Sequence, residues 1–323
     1  MVVNTNNGGY DDYGANAFVI DDANNTITNN IIRGCWANSY DFTYDGGAIE
    51  FNGPEASNNK IMYNTIIDCN GVMEMGSNST IGVQTGNVIA YNKMINNGSL
   101  LYINNTGPFA VNVSNHQFYN NVIVETVVGR LSDQYLAGMA SASASTGIVV
   151  MKNNIFWLTN GVDVARSGQF SGSQLTHEDN IFKLGTASVL NFTASATELT
   201  TNSSNIFANV STQDPTAWDY VPSSTSPAID FGQNVGIPKD FAGNIVPTVP
   251  NSGILETGSG SIPAITAIAT AGTITCNGGT ATVTVTASGG TAPYTGTGTF
   301  TVSAGSYTYT VTDATGLTGT TTI

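Results

Sequence analysis

The chain has 323 residues and a formal net charge of −14 at pH 7, with eight lysines and arginines against 22 aspartates and glutamates. This balance argues against binding to nucleic acid or anionic membranes, since few basic groups could displace phosphate counterions. No apolar run approaches membrane-spanning length, so no membrane insertion is expected. Three cysteines make no disulfide framework, no Cys/His spacing indicates zinc, and calcium, which prefers oxygen ligands, stays compatible with the composition.

A short phrase of asparagine and apolar residues recurs along the chain. It reads NNII, NTII, NKMI, NNVI and NNIF, then DNIF and SNIF, beginning at residues 29, 64, 92, 120, 153, 179 and 204. Each unit holds short runs of β-branched residues broken by Asn, Gly and Ser, which predicts strands and turns without helices. The intervals of 25 to 35 residues predict one coil of a parallel β-solenoid per unit.

The phrase also predicts the interior of each coil. One member of each isoleucine pair is expected to point inward, and the asparagines are expected to stack as a side-chain ladder at a turn. Cys35 and Cys69 follow the phrase at similar offsets and are interpreted as neighbouring small core residues rather than a redox site. His116 and His177 stand near coil starts and are interpreted as structural residues rather than catalytic bases.

Three longer stretches, NNTITNNIIRGC, NNKIMYNTIIDCNGV and GNVIAYNKMINNG, resemble the coils of right-handed parallel β-helix proteins of the pectate-lyase-like superfamily. The resemblance covers roughly residues 10–255 and implies the fold rather than the reaction, because this scaffold hosts lyases, hydrolases, epimerases and phage adhesins. We therefore expect an all-β chain with a right-handed parallel β-helix domain over residues 1–255. Its loop-rich part, about 226–255, is expected to cap the last coil.

The composition changes beyond this region. Residues 256–264 are interpreted as a linker, and Thr alternates with Val in residues 265–323, as in TATVTVTASGG. This alternation predicts a small antiparallel β-sandwich of Ig-like type. The stretch resembles the repeat modules of large secreted adhesins from gliding bacteria, which act as spacers or sorting regions, so no catalytic role is expected for it.

Two similar segments, GGAIEFNG and NGVMEMGS, each place one glutamate inside an apolar run. Counting ten residues from the marker asparagines, with the first coil lengthened by an inserted loop, predicts a stacked row of Glu50, Glu74, Tyr102, Arg130 and Asp163. Two carboxylates about 5 Å apart at an effective dielectric near 20 repel by roughly 3 kcal/mol. A retained proton, a cation or a basic partner would relieve this repulsion, and each would indicate function. The alternative is a solvent-facing polar slot with the glutamates splayed apart.

The inserted loop ANSYDFTYDGG brings aromatic and acidic residues beside this row. Such residues suit sugar rings, which stack on aromatic faces and form hydrogen bonds through their hydroxyls. The predicted substrate-binding residues are Trp36, Tyr40, Tyr44, Asp45 and Asp163. Asp41 and Asp45 are also predicted as calcium ligands. The alternative is a surface loop packed by its own aromatic side chains.

These residues favour a secreted carbohydrate-active enzyme whose polysaccharide lies along the β-helix face. In a hydrolase, one glutamate would protonate the leaving oxygen and the other would act as nucleophile or base. In a lyase, Arg130 or calcium would neutralise a uronate, and Tyr102 or a lysine would abstract the α-proton. Lyases of the resembled superfamily typically carry a basic cluster, whereas this chain offers only Lys60 and Lys93 besides Arg130, so hydrolysis or calcium dependence is favoured.

The alternative function is a non-catalytic cell-surface adhesin or glycan-binding scaffold. Richness in Asn, Thr, Ser and Gly with little Lys suits an extracellular bacterial protein, either secreted or at the cell surface. The start, MVVNTNNGGY, lacks the parts of a signal peptide, so a leader or further N-terminal segment is expected to precede it. A monomer with a polysaccharide partner is expected.

Overall fold

The computed structural model describes residues 2–3, 16–36, 47–77, 82–107, 110–127, 135–139, 147–159, 161–170, 172–210, 213–256, 265–289, 293–313 and 318–323. Strands dominate these residues, and three parallel sheets form a β-solenoid of about five turns. The predicted all-β class and parallel β-solenoid are confirmed. The one helix in the described ranges is the 3-10 helix Pro215–Ala217, and no helix there is long and apolar enough to cross a membrane.

Each full coil contributes one strand to each of three parallel sheets. Sheet 1 contains the strands Val2–Val3, Ile31–Arg33, Thr65–Ile67, Lys93–Ile95, Val122–Glu125, Ile155–Leu158, Ile181–Lys183 and Leu199–Thr201. Sheet 2 contains Thr26–Thr28, Lys60–Met62, Val88–Ala90, His116–Tyr119, Val149–Lys152 and Leu175–Glu178. Sheet 3 contains Phe18–Ile20, Ile49–Phe51, Gly71–Met75, Ser99–Ile103, Tyr135–Met139 and Asp163–Ala165. A short parallel pair, Gly82–Thr85 with Val111–Ser114, lies outside these sheets.

The interior of the coils is built from in-register stacks of apolar side chains. One stack in sheet 1 consists of Ile32, Ile66, Met94, Ile123, Phe156 and Phe182, all almost fully buried. Burying a side chain of this size stabilises the fold by about 1.5–3 kcal/mol. The predicted inward position of one isoleucine per pair is therefore confirmed.

An asparagine ladder fixes the corner between sheets 2 and 1. Its members are Asn30, Asn64, Asn92, Asn121, Asn154 and Asn180. Each Nδ2 except that of Asn180 donates to the Oδ1 of the ladder asparagine on the next coil at 2.9–3.1 Å. Each accepting Oδ1 also receives the backbone N–H of the preceding ladder residue. The predicted ladder is confirmed, except that the second asparagine of each NN phrase forms it, not the first.

The residue before each ladder asparagine adopts the left-handed conformation. These residues are Asn29, Tyr63, Tyr91, Asn120, Asn153 and Asp179, with φ between 52° and 59°. Asn and Asp tolerate this conformation better than most residues, which explains the repeated NN and DN pairs. Tyr63 and Tyr91 lack that advantage, but their rings stack with centroids 5.9 Å apart.

The ladder ends at a buried glutamate. Asn180 Nδ2 donates to Glu198 Oε1 at 2.7 Å, and Glu198 Oε2 contacts His177 Nδ1 at 2.7 Å. His177 therefore supports the end of the ladder, in agreement with its structural interpretation. His116 is completely buried, so its ring contacts neither solvent nor a groove. That burial lowers the pKa of His116 to about 4, so its ring is neutral at pH 7.

Residues 206–256, named the lateral segment here, cover the outer face of sheet 1. Strands Phe207–Asn209 and Asp219–Pro222 pair antiparallel within this segment. Outward-facing apolar residues of sheet 1, such as Ile67 and Ile95, pack against it. The SNIF copy of the phrase contributes Ile206 and Phe207 to this layer, so it does not begin another coil of the three sheets.

The lateral segment runs along the side of the coil stack. Four left-handed corner residues bond to its backbone or side chains: Tyr63, Asn120, Asn153 and Asp179. For example, Asn120 Nδ2 donates to the carbonyl of Asn251 at 3.0 Å. The role of residues 226–255 as a cap over the last coil stays a prediction from the sequence. Because its hydrogen-bond partners are corner residues of several coils, the lateral segment lies along the stack.

Residues 265–323 carry antiparallel sheets. Strands Thr266–Ala271, Thr280–Ser288 and Gly298–Ser303 form one sheet, and Thr308–Thr312 pairs with Thr318–Thr322 in another. Along Thr280–Ser288 the alternating Ala and Val side chains are buried and the Thr side chains exposed. Val283, Val285 and Val311 form a shared core, which agrees with the predicted antiparallel module.

Replacing Asn121 with alanine is expected to destabilise the β-helix by about 2–4 kcal/mol. The Asn92 amide groups and the Ile89 carbonyl would lose their partners inside the stack, and each buried orphan costs about 1–3 kcal/mol. Urea unfolding followed by circular dichroism measures the change. Asn112→Ala on the exposed face of Val111–Ser114 is the control, with a change within about 0.5 kcal/mol. Equal losses in both variants would contradict the role of the ladder.

Glu256, at the end of the lateral segment, makes stability depend on pH. The pKa of Glu256 is raised to about 8, chiefly by burial; the hydrogen bond from the Asn251 N–H opposes this shift, and the carboxylates of Asp240 and Asp230 add to it. Since the folded state holds this proton more tightly than the unfolded state, its stabilisation is present at low pH. It is lost as the pH rises from the unfolded value near 4.5 to about 8.

Glu256→Gln is therefore expected to flatten the pH profile of stability. Between pH 5 and pH 8, the wild type should lose on the order of 2–3 kcal/mol relative to this variant, a figure reduced for the partial exposure of the carboxyl. Urea midpoints across this range provide the measurement. Glu55→Gln, at an exposed turn, is the control and should follow the wild-type profile. Parallel profiles for wild type and Glu256→Gln would rule out this source of pH dependence.

Candidate functional site

Glu50, Glu74 and Tyr102 occupy successive positions on the outer face of sheet 3. Parallel pairing sets Glu50 opposite Glu74 and Glu74 opposite Tyr102. The residues on either side of each one along its strand are buried in the core, while these three side chains are half-buried. The predicted stacking of the two glutamates with Tyr102 is therefore confirmed.

The predicted row is wrong beyond Tyr102. Gly138 takes the position after Tyr102, and Arg130 lies outside the residues that the structure describes. Asp163 pairs with Tyr135, three positions before the row. A fixed ten-residue count holds only where the connection from sheet 1 to sheet 3 keeps its length. That connection is longer before Tyr135 than before Ser99.

Two residues that the sequence did not predict continue the row. The Tyr135 ring covers the outer side of Gly138, since a Cβ on Gly138 would lie 2.3 Å from Tyr135 Cε2. Arg166 follows Gly138 in register, with its N–H donating to the Ala137 carbonyl at 2.9 Å. Its guanidinium lies 5.4 Å from the centre of the Tyr135 ring. The similar alternation of YLAGM and SLLYI is the sequence signal that could have found this register.

Each glutamate is held by the side-chain amide of an asparagine. Asn16 Nδ2 donates to Glu50 Oε2, and Asn104 Nδ2 donates to Glu74 Oε1 at 2.6 Å. Asn16 belongs to the coil before Glu50, and Asn104 to the coil after Glu74. The amides therefore approach the carboxylate pair from its two outer sides.

These hydrogen bonds offset part of the repulsion between the carboxylates. Stacked strand positions are about 4.8 Å apart, where two unit charges repel by roughly 3 kcal/mol at an effective dielectric of 20. A hydrogen bond to a charged group contributes about 1.5–3 kcal/mol. Two such bonds can therefore hold both carboxyl groups in place on a half-buried surface.

The other predicted binding residues lie at different places. Trp36 is half-buried at the corner after sheet 1, where its Nε1 donates to the Asp68 carbonyl at 2.5 Å. Asp163 accepts the Val189 N–H and the Asn191 Nδ2, both at 2.9 Å, so it fastens a neighbouring loop. The predicted residues of the inserted loop, Tyr40, Asp41, Tyr44 and Asp45, lie outside the described residues.

The two lysines considered as bases lie on other sheets. Lys93 is on the outer face of sheet 1, with its Nζ 5.1 Å from the centre of the Tyr220 ring and 5.7 Å from that of Phe241. Burial beneath the lateral segment lowers the pKa of Lys93. Lys60 is exposed on sheet 2. Neither ammonium group belongs to the row on sheet 3.

Neither a metal-binding cluster nor an enclosed cavity lies on the outer face of sheet 3 in the described residues. Within the described part of the chain, no group of three or more His, Cys, Asp or Glu side chains could hold a metal ion. An apolar cavity lies inside the coils, lined by core residues such as Leu101, Phe118 and Phe156. The candidate site is therefore the open outer face of sheet 3, not an enclosed pocket.

Comparisons with known proteins give no match. No protein-family model, curated protein or solved structure matches the chain.

Gly138→Ala is expected to destabilise the protein by about 1–3 kcal/mol. The added methyl group would overlap the Tyr135 ring at 2.3 Å, and this ring is too well buried to move without repacking. Thermal unfolding measures the effect. Gly172→Ala, where an added Cβ meets nothing within 4 Å, is the matched control. Unchanged stability of the Gly138 variant would contradict the position of the Tyr135 ring.

Proposed function

We propose that the protein is an extracellular carbohydrate-active enzyme that cleaves a polysaccharide lying along the outer face of sheet 3. The observation that carries this proposal is the in-register pair of Glu50 and Glu74 beside Tyr102. The strand spacing of about 4.8 Å is close to the separation of about 5–5.5 Å between the carboxyl groups of retaining glycosidases. The resemblance of the coils to pectate-lyase-like proteins supports the same class of substrate.

Hydrolysis is the reaction that this pair supports best. One carboxyl group donates a proton to the glycosidic oxygen as that bond breaks, and the other attacks the anomeric carbon. Water then releases the sugar, with the first residue acting as base. Asn16 and Asn104 restrict the two carboxylates from outside the pair, so the side chains need little reorganisation during the reaction.

Calcium-assisted elimination from a uronate polymer is the second version of this activity. Arg166, exposed in the same register, can supply the cation that the sequence analysis assigned to Arg130. Tyr102 then remains the candidate for abstracting the α-proton. Calcium ligation by Asp41 and Asp45 stays a prediction from the sequence.

A non-catalytic adhesin or glycan-binding scaffold is the alternative function. The bonds from Asn16 and Asn104 to the two glutamates support it, because a purely structural polar row would also satisfy its carboxylates in this way. The antiparallel module of residues 265–323 supports it as well. In this version, the module is an Ig-like spacer or sorting region that presents the β-helix at a cell surface.

Glu50→Gln and Glu74→Gln are each expected to lower polysaccharide cleavage at least 100-fold, because general acid–base and nucleophilic steps contribute at least that much. The wild type and both variants are tested on neutral and uronate polysaccharides, with calcium or with a chelator. Reducing ends report cleavage, and absorbance near 235 nm reports elimination. Glu55→Gln, at an exposed turn away from sheet 3, is the matched control and should retain wild-type activity.

The contrasting result is equally clear. If the wild type cleaves nothing on a broad panel, yet binds one glycan as tightly as both glutamine variants do, the proposed cleavage is wrong. The scaffold function would then account for the protein. If the wild type binds a glycan without cleaving it, and the glutamine variants lose this binding, the glutamates serve glycan recognition.

A further inference from the structure

Cys35 and Cys69 occupy equivalent positions on successive coils, at the corner that follows sheet 1. The pairing of Ile31–Arg33 with Thr65–Ile67 continues around this corner. There the Gly34 N–H donates to the Ile67 carbonyl at 3.1 Å, and the Asn70 N–H donates to the Cys35 carbonyl at 2.9 Å. The two cysteines are therefore stacked neighbours, as the sequence predicted.

The two thiols contact each other inside the stack. Both cysteines are reduced and fully buried. A hydrogen bond between their side chains is the main cause of a raised pKa for the Cys69 thiol, and burial raises this pKa as well. Parallel neighbours have Cα atoms about 4.8 Å apart, within the 4.4–6.8 Å found for disulfides. No large backbone movement is therefore needed to bring the sulfurs into bonding distance.

The same corner is linked by polar side chains in the following coils. The Cys69 N–H donates to Asn97 Oδ1 at 3.0 Å, and the Asn97 N–H donates to Glu125 Oε1 at 2.8 Å. Each of these bonds joins one coil to the next. At the equivalent corner position between the first two of these coils, the side chains of Cys35 and Cys69 are neighbours in place of a polar side chain bonded to a backbone N–H.

We propose that Cys35 and Cys69 form a disulfide that joins two successive coils under oxidising conditions. This modification is independent of the function proposed for sheet 3. A low-molecular-weight disulfide, such as oxidised glutathione, is the oxidant. One cysteine thiolate attacks it, forming a mixed disulfide and releasing one glutathione thiol. The second cysteine thiolate then displaces the other glutathione, so two protein thiols become one disulfide and two glutathione thiols form.

The environment of the thiols determines how fast this reaction proceeds. A raised thiol pKa leaves little thiolate at neutral pH, and burial keeps the oxidant out, so exchange in the folded protein requires local opening of the corner. Exchange is faster while the chain folds, because both thiols are then accessible. The bond is accordingly expected to form most efficiently during oxidative folding.

Peptide mapping of the whole chain tests the proposal. Trypsin cleavage at Arg33, Lys60, Lys93 and Lys239 separates the three cysteines onto peptides 34–60, 61–93 and 240–323. The protein is refolded with reduced and oxidised glutathione, alkylated and digested without reduction. The expected product is peptide 34–60 joined to peptide 61–93 with the loss of two hydrogens, while the exposed Cys276 is alkylated or carries glutathione.

Variants and a stability measurement complete the test. Cys276→Ser should still form the linked peptides, whereas Cys35→Ser and Cys69→Ser should leave the remaining cysteine unlinked. The oxidised wild type should melt about 5 °C or more above its reduced form, and Cys35→Ser should show no such difference. If refolding and prolonged incubation of the native protein both leave Cys35 and Cys69 reduced, or if either pairs with Cys276, the proposal is overturned.

Discussion

The amide ladder at the corner between sheets 2 and 1 is the interaction on which the other features depend. Each ladder asparagine from Asn64 to Asn154 bonds to the coil before it and the coil after it, so the ladder admits one spacing and one register. A shift by one residue would move these asparagines out of the corner and leave several buried amide groups unsatisfied. Where the connection to sheet 3 is short, as before Gly71 and Ser99, this register also determines which residues stack in sheet 3.

That register places two like charges together, and the chain compensates for them locally. Glu50 and Glu74 are neighbours because their strands are, and Asn16 and Asn104 donate to them from the adjoining coils. Further along the same face the side chains change to aromatic rings and then to Arg166. The row on the outer face of sheet 3 thus passes from acidic to basic over a few coils.

The sequence predicted the features that repeat and missed those that depend on a single contact. The isoleucine stacks were predictable from the repeat, and Glu74 and Tyr102 were aligned correctly because Gly71 and Ser99 follow their sheet 1 strands at the same distance. Glu50 follows a longer connection, and the similarity of GGAIEFNG to NGVMEMGS aligned it with Glu74. The row failed beyond Tyr102, because a longer connection precedes Tyr135. The lateral segment has no repeat from which its position could be predicted. The apolar residues on both sides of the sheet 1 strands are the sequence signal that could have indicated a covering layer.

The lateral segment changes how the solenoid can come apart. In a simple solenoid each coil contacts only its neighbours, so terminal coils can peel away one at a time. Here a single stretch of chain is fastened to corner residues from Tyr63 to Asp179 and packs over the strands between them. One of these coils cannot unfold without breaking the contacts of the lateral segment with the others. The central coils therefore resist pulling and proteolytic nicking as one mechanical unit.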